Sequence, residues 1–170
     1  MIPALVFDIE TAGEEWSSLD EKTQEALTKW IYKGGRDDGE REALLQDVRE
    51  GLGFSPFTGE VVALGVLDSE KEQGAVYYQT GDTSTPPDEE EGGIVFRGKS
   101  ERDMLEQFWI LAEHYDAFVS FNGRAFDVPF LLIRSLIHGL TPTKDLMANR
   151  YLSSQPRFAR HIDLADQLTF

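Results

Sequence analysis

Two carboxylates stand two residues apart in Phe7-Asp8-Ile9-Glu10-Thr11, which closes a short apolar run from Ile2 to Phe7. On an extended strand side chains alternate, so Asp8 and Glu10 point to the same face. Like charges held side by side raise each other's pKa, and burying one without a partner is costly. A divalent cation held by oxygen donors is the usual partner that makes such a pair favourable. That reading calls for a further acid at the end of another apolar segment. Phe118-Val119-Ser120-Phe121-Asn122-Gly123-Arg124-Ala125-Phe126-Asp127 supplies Asp127. Taken alone, Asp8 and Glu10 read more readily as a strand running out into a solvated acidic turn; the second segment weighs against that.

The elements that would carry these residues follow from periodicity and punctuation. Residues 3–9 read as a first strand. Residues 17–33 read as a helix capped by Ser17 or Ser18 and ended by Gly34-Gly35, and 39–50 as a second helix stopped by Gly51 and Gly53. Residues 60–67 and 75–79 form a predicted hairpin, followed by a flexible loop over 80–93 with two prolines and four consecutive acids. Ser100 caps an amphipathic helix to His114 with Met104, Leu105, Phe108, Leu111 and Ala112 on one face. A buried strand at 117–121, a helix at 128–138 ended by Gly139, a short helix at 144–151 and a last strand at 158–164 complete the reading. The order predicts an α/β fold: a mixed sheet flanked by helices, with a helical insertion after the first strand. If the first and fourth strands are neighbours, Asp8, Glu10 and Asp127 meet at one end of the sheet, where open α/β sheets bind their ligands.

The 170 residues suffice for one domain with a real core, 1–170. No apolar stretch approaches the ~18–20 residues of a membrane span, and the absence of cysteine removes disulfides and thiolate-bound zinc; a cytoplasmic, membrane-free protein is expected. The net charge of −15 argues against a broad basic nucleic-acid footprint. The acidity is uneven, however. Residues 1–100 carry 22 acidic and 9 basic side chains, residues 101–170 only 9 and 7, so the excess lies away from the second motif. An enzyme that meets phosphate through metal ions tolerates such surroundings.

Phe7-Asp8-Ile9-Glu10-Thr11 resembles the first motif of DEDD-type 3′–5′ exonucleases of the ribonuclease H-like fold, and Asn122 to Leu131 resembles their second. The closest likeness is to the predicted exonucleases related to the proofreading domain of family-B DNA polymerases; Pro56 to Val62 is also similar to that group. The resemblance spans about residues 3–165. It implies that Asp8, Glu10 and Asp127 ligate two Mg²⁺ or Mn²⁺ ions, and that Thr11, Asn122 and Phe126 contact the terminal nucleotide. The reaction implied is hydrolysis of phosphodiester bonds from the 3′ end of single-stranded nucleic acid, DNA favoured, by a two-metal mechanism.

One part of the family pattern departs. A third motif, Tyr or His followed by a fourth Asp, should complete the site. Tyr151 is followed four residues on by Gln155, so the Tyr form fails, whereas His161-Ile162-Asp163-Leu164-Ala165-Asp166 has the spacing of the His form. That segment straddles a predicted strand, and Asp163 reads better as a strand end or helix cap. The expectation is therefore that the third motif lies beyond Phe170 and that the chain is truncated at its C-terminus. The alternative function is a catalytically incomplete nucleic-acid-binding or interaction domain of the same fold.

Overall fold

The computed structural model describes residues 3–33, 35, 37–81 and 86–168. They form two compact units. The larger is built from the residues up to Glu10 and those from Val61 onward, and the smaller is Thr11–Glu60.

The larger unit holds the sheet. Seven strands run in the order β4-β5-β3-β2-β1-β6-β7, with β1 at Ala4–Gly13, β2 at Gly59–Asp68, β3 at Gln73–Tyr78, β4 at Glu89–Glu91, β5 at Ile94–Gly98, β6 at Ala117–Ser120 and β7 at Arg160–Asp163. The predicted first and fourth strands, β1 and β6, are neighbours and parallel, in the register Ala4↔Ala117, Leu5↔Phe118, Val6↔Val119. β7 continues parallel beyond β6, β2 and β3 form the expected antiparallel hairpin, and β3 pairs parallel with β5. The sheet is therefore mixed, as the element order required.

Two helices cover the face that carries Leu5, Phe7 and Ile9. The first, α3 (Glu101–Ala112), opens where Ser100 Oγ accepts the Asp103 amide at 3.2 Å. Its Met104, Leu105, Phe108 and Ala112 recur at helical spacing and are fully buried. The second, α4 (Asp127–Ile137), buries Val128, Phe130 and Leu131. Trp109 Nε1 donates to Ser135 Oγ at 2.8 Å, locking α3 to α4. Phe7 stacks at a tilt on Phe108, 5.3 Å between centroids. Each such aromatic contributes about 1.5–3 kcal/mol by leaving water.

In the smaller unit Asp20 caps α1 (Glu21–Thr28), and Asp37 with Glu40 makes a reciprocal capping box for α2 (Asp38–Glu50). A single helix over 17–33 does not form: Trp16–Ser18 is a 3-10 turn, and the stronger cap at Asp20 restarts the chain, taking the amides of Lys22 and Thr23. Gly34 lies outside the described residues.

Two further expectations fail in the larger unit. The acid-rich stretch before residue 93 contains strand β4, which turns at Gly92 and Gly93, φ +60° and +84°, into β5. Two adjacent residues at positive φ make the tight hairpin turn that glycine favours; the acids merely mark an exposed sheet edge, where charge resists unwanted pairing. Residues 82–85 of the expected loop lie outside the described residues. The short helix at 144–151 is absent. There Asp145 takes the Met147 amide and Asn149 the Tyr151 amide, local side-chain bonds that compete with a helix. After β7 the chain enters a short helix, α5 (Leu164–Leu168).

Candidate active site

The β1–β6 ladder stops at Val6↔Val119, and β6 ends at Ser120 while β1 runs on. A backbone amide of β1 would be left unmatched where β6 departs. Asp127, the first residue of α4, takes it: Oδ1 accepts from the Ile9 N–H at 3.1 Å. The Asp127 carboxyl is buried, 3% exposed, whereas Asp8 and Glu10 on either side of buried Ile9 are exposed. Burial, then the charge of Asp8, and more weakly that of Asp163, push the Asp127 pKa up to about 6, against the amide bonds that favour ionisation. A buried carboxylate thus feels the like charges of Asp8 and Asp163 at the end of the central strands. Asp8 itself lines a shallow, largely apolar trough of about 370 Å³ on its sheet face, with Val6, Gly65, Leu67, Val76, Ile94 and Phe96.

The turn that delivers Asp127 is tightly made. Asn122 sits in the left-handed region, φ +59°, which asparagine tolerates better than most residues. At Gly123 a Cβ would come 2.1 Å from Ser120 Oγ, so a side chain is excluded. Asn122 O then accepts from the Ala125 and Phe126 amides, and Gly123 O from Val128. From β7, the buried Asp163 accepts from the amides of Asn122 (2.8 Å) and Arg124 (2.9 Å). The Arg124 guanidinium turns away toward the carbonyls of Leu146 and Met147 at 3.1 and 3.4 Å.

The other expected residues fall in separate places. Asn122 is exposed, at a cleft of about 310 Å³ lined also by Arg124, Met147, Arg150, Asp163 and Asp166. Phe126 is half-buried, 5.5 Å from Phe130 between centroids. Thr11 belongs to the smaller unit, where its hydroxyl donates to Gly53 O at 2.8 Å. His161 is 1% exposed: its Nδ1–H donates to Leu146 O at 3.2 Å, which leaves Nε2 to accept the Ser120 hydroxyl at 2.7 Å. Burial lowers its pKa. Asp166 forms a bidentate pair with Arg150. Both ring nitrogens of His161 are thus engaged inside the fold, and Asp166 is paired with Arg150 at the cleft. The group missed in the sequence is Ser120 with His161 and Asp163 as a bracing set; the signal was the same two-residue spacing on a strand that singled out Asp8 and Glu10.

Asp8, Glu10 and Asp127 offer hard oxygen donors of one sign, the chemistry that suits a divalent cation. Among the described residues no group of three or more His, Asp or Glu side chains is drawn together to hold a metal ion. The donor types fit; a closed shell is not preassembled. Among the same residues no helix is long and apolar enough to cross a membrane.

Residues 88–170 match the family described as predicted 3′–5′ exonuclease related to the exonuclease domain of PolB. A DNA polymerase 1 of Sulfurisphaera ohwakuensis is 22% identical over 147 residues, 79% of this chain and 16% of that protein. The solved family-B DNA polymerase of the archaeon Pyrobaculum calidifontis superposes on 99% of the chain with TM-score 0.50 and 18% identity, again over 16% of the polymerase. The chain therefore spans about one sixth of either relative. The resemblance carried by the two motifs is borne out, and the α/β architecture is the ribonuclease H-like one.

Proposed function

We propose that the chain is a metal-dependent 3′–5′ exonuclease that hydrolyses single-stranded nucleic acid, DNA in preference, in the cytoplasm. The observation that carries this reading is Asp127: a buried acid, raised to about 6, that faces Asp8 where β6 parts from β1. A structural acid in such a place would have its oxygens matched by donors, as those of Asp163 are by three backbone amides. One that faces other acids suits a bound cation. In this reading Asp8, Glu10 and Asp127 hold Mg²⁺ or Mn²⁺. When bound, the ions supply an activated water and neutralise charge on the phosphate and leaving oxygen. The chain's own part is placement. The Ile9 amide fixes Asp127 Oδ1, the exposed Asn122 meets the terminal nucleotide at the cleft, and Phe126 flanks it. With little basic surface, affinity for a strand depends on divalent metal more than on lysine and arginine.

A 5′-labelled single-stranded oligonucleotide incubated with Mg²⁺ or Mn²⁺ should give a ladder shortening from its 3′ end, absent with EDTA and in Asp8→Ala. Internal fragments, or a ladder that Asp8→Ala leaves intact, would refute the proposal. The absence of a preassembled three-acid group among the described residues favours a second reading, a nucleic-acid-binding or interaction domain without turnover. Metal-independent binding of the same oligonucleotide with no cleavage at any metal concentration would establish it instead.

A further inference from the structure

We infer that Asp163 is the positioning residue of the Asp127 site: its carboxylate grips the turn between β6 and α4 from the neighbouring strand and so sets where Asp127 stands. The inference rests on the metal-nuclease reading of Asp8, Glu10 and Asp127, and concerns a residue outside that set.

Asp163 is 3% exposed, and its two oxygens receive three backbone amides. Oδ1 accepts from Asn122 at 2.8 Å and from Ala165 at 3.0 Å, and Oδ2 accepts from Arg124 at 2.9 Å. A carboxylate has about four acceptor positions. Three of them are already used, which leaves Asp163 poorly suited to ligate a metal ion. Bonds from N–H to an ionised acceptor are about twice as strong as neutral ones. The two that cross from β7 land on Asn122 and Arg124, the residues on either side of Gly123.

The turn needs that grip. Asn122 is held in the left-handed region, a conformation that persists when its surroundings over-determine it. From Asn122 and Gly123 the constraint runs on by hydrogen bonds: Asn122 O to the Ala125 and Phe126 amides, Gly123 O to the Val128 amide at 2.8 Å. Those bonds orient the first turn of α4, and Asp127 lies within it. The chain closes when Asp127 reaches the Ile9 amide on β1. His161, two residues before Asp163 and on the same face of β7, holds the start of the turn through Ser120 Oγ. Gln155 holds His161 in turn, accepting its amide at 2.7 Å and donating to its carbonyl. Outer partners of ligand carboxylates commonly govern affinity by 10–100-fold when removed.

The test compares Asp163→Asn and Asp163→Ala with wild type and Asp127→Asn. Asparagine keeps one acceptor but sets an amide group against the Arg124 N–H, and alanine removes both. Mn²⁺ affinity, read by electron paramagnetic resonance, should fall about 10-fold in Asp163→Asn and further in Asp163→Ala. In ¹⁵N spectra of the metal-free proteins the Asn122 and Arg124 amide protons should shift, and the Ile9 amide, which touches Asp127 and not Asp163, should shift with them. kcat should fall while KM for an oligonucleotide stays within about twofold. A folded variant with wild-type Mn²⁺ affinity and an unmoved Ile9 amide overturns the inference. So does a loss of Mn²⁺ affinity with the Ile9 amide unmoved, which would make Asp163 a ligand. If Asp163→Ala does not fold, Asp163→Asn decides by the same two readings. Failure of the underlying reading looks different: wild type and Asp127→Asn would then bind Mn²⁺ alike, whatever Asp163 does to the Ile9 amide.

Discussion

Two buried acids in the larger unit have opposite surroundings. Glu101, at the head of α3, is 5% exposed and fully matched: Oε1 accepts from the Val61 amide and Arg134 Nε, each at 2.8 Å, and Oε2 from Arg134 Nη2 and His138 Nε2, each at 2.6 Å. Burial pushes its pKa up, yet the bonds from Arg134, His138 and Val61 more than offset that, and the pKa ends below the ordinary value. Asp127, equally buried, has only backbone amides, its own and that of Ile9 on β1, set against the charges of Asp8 and Asp163, and ends near 6. The fold evidently can match a buried carboxylate where it needs one for structure. In the function proposed above, the charge of Asp8 bearing on a buried Asp127 is what sets this strand end apart from the structural joint at Glu101.

The largest effect should come from breaking the matched acid. Arg134→Met leaves Glu101 buried without its bidentate partner, a change that costs about 3–5 kcal/mol in comparable buried pairs. Urea unfolding at pH 7 measures it. The double variant Glu101→Gln/Arg134→Met should recover part of the loss, since no unpaired charge remains. A loss below about 1 kcal/mol in the single variant would mean the triad is incidental, and the contrast with Asp127 would collapse.

Removing the unmatched acid should have the opposite sign. A folded-state pKa above the unfolded one means that the protonated acid favours the fold: the contribution is fully present below about 4 and is lost as pH rises through about 6. Asp127→Asn keeps an acceptor for the Ile9 amide and carries no charge, so in EDTA it should be more stable than wild type at pH 7–8. The rise from an ordinary 3.8 to about 6 caps that gain at roughly 3 kcal/mol, and the gain should vanish near pH 4. Added Mn²⁺ should reverse the ranking, because only wild type gains binding free energy. An Asp127→Asn protein less stable than wild type in EDTA at pH 8 would refute the electrostatic account. Asp8→Asn removes only one of the opposing charges, from the exposed side. The Asp127 titration, followed by carboxyl ¹³C shifts, should then move down from about 6 without reaching the ordinary value, because burial remains its largest cause.

What was legible in the sequence divides along the same line. Alternation and apolar runs gave β1 and β6, which are parallel neighbours; the charge of Asp8 bears on Asp127, but among the described residues Asp8, Glu10 and Asp127 are not drawn into one group as the spacing predicted. Ser100 and Gly139 bounded α3 and α4 because caps are local chemistry. Long-range partners were not legible. Nothing in the sequence around Glu101 shows that Arg134 and His138, 33 and 37 residues on, converge on it. Asp163 read as a strand end or cap. It does accept the Ala165 amide, while its two bonds to the Asn122 turn depend on β7 lying beside β6. Two prolines, glycines and the acids at 88–91 together read as a loop, and the same glycines, Gly92 and Gly93, instead turn β4 into β5.

The smallest expected effect separates backbone from side chain at the cleft. Asn122 serves the turn through its backbone: its N–H reaches Asp163, its carbonyl takes two amides, and its φ is +59°. Glycine adopts that φ freely, so Asn122→Gly should change stability by no more than about 0.5 kcal/mol, the relief of φ strain being offset by a more flexible unfolded chain. Asn122→Val, β-branched at positive φ, should cost about 1–2 kcal/mol. The glycine variant is therefore a clean probe of the exposed amide side chain. If that group contacts the terminal nucleotide, Asn122→Gly should weaken oligonucleotide binding severalfold at unchanged Mn²⁺ affinity. If cleavage and binding both match wild type in a protein of equal stability, Asn122 belongs wholly to the architecture that holds Asp127, and the nucleotide must be met by other residues of the cleft.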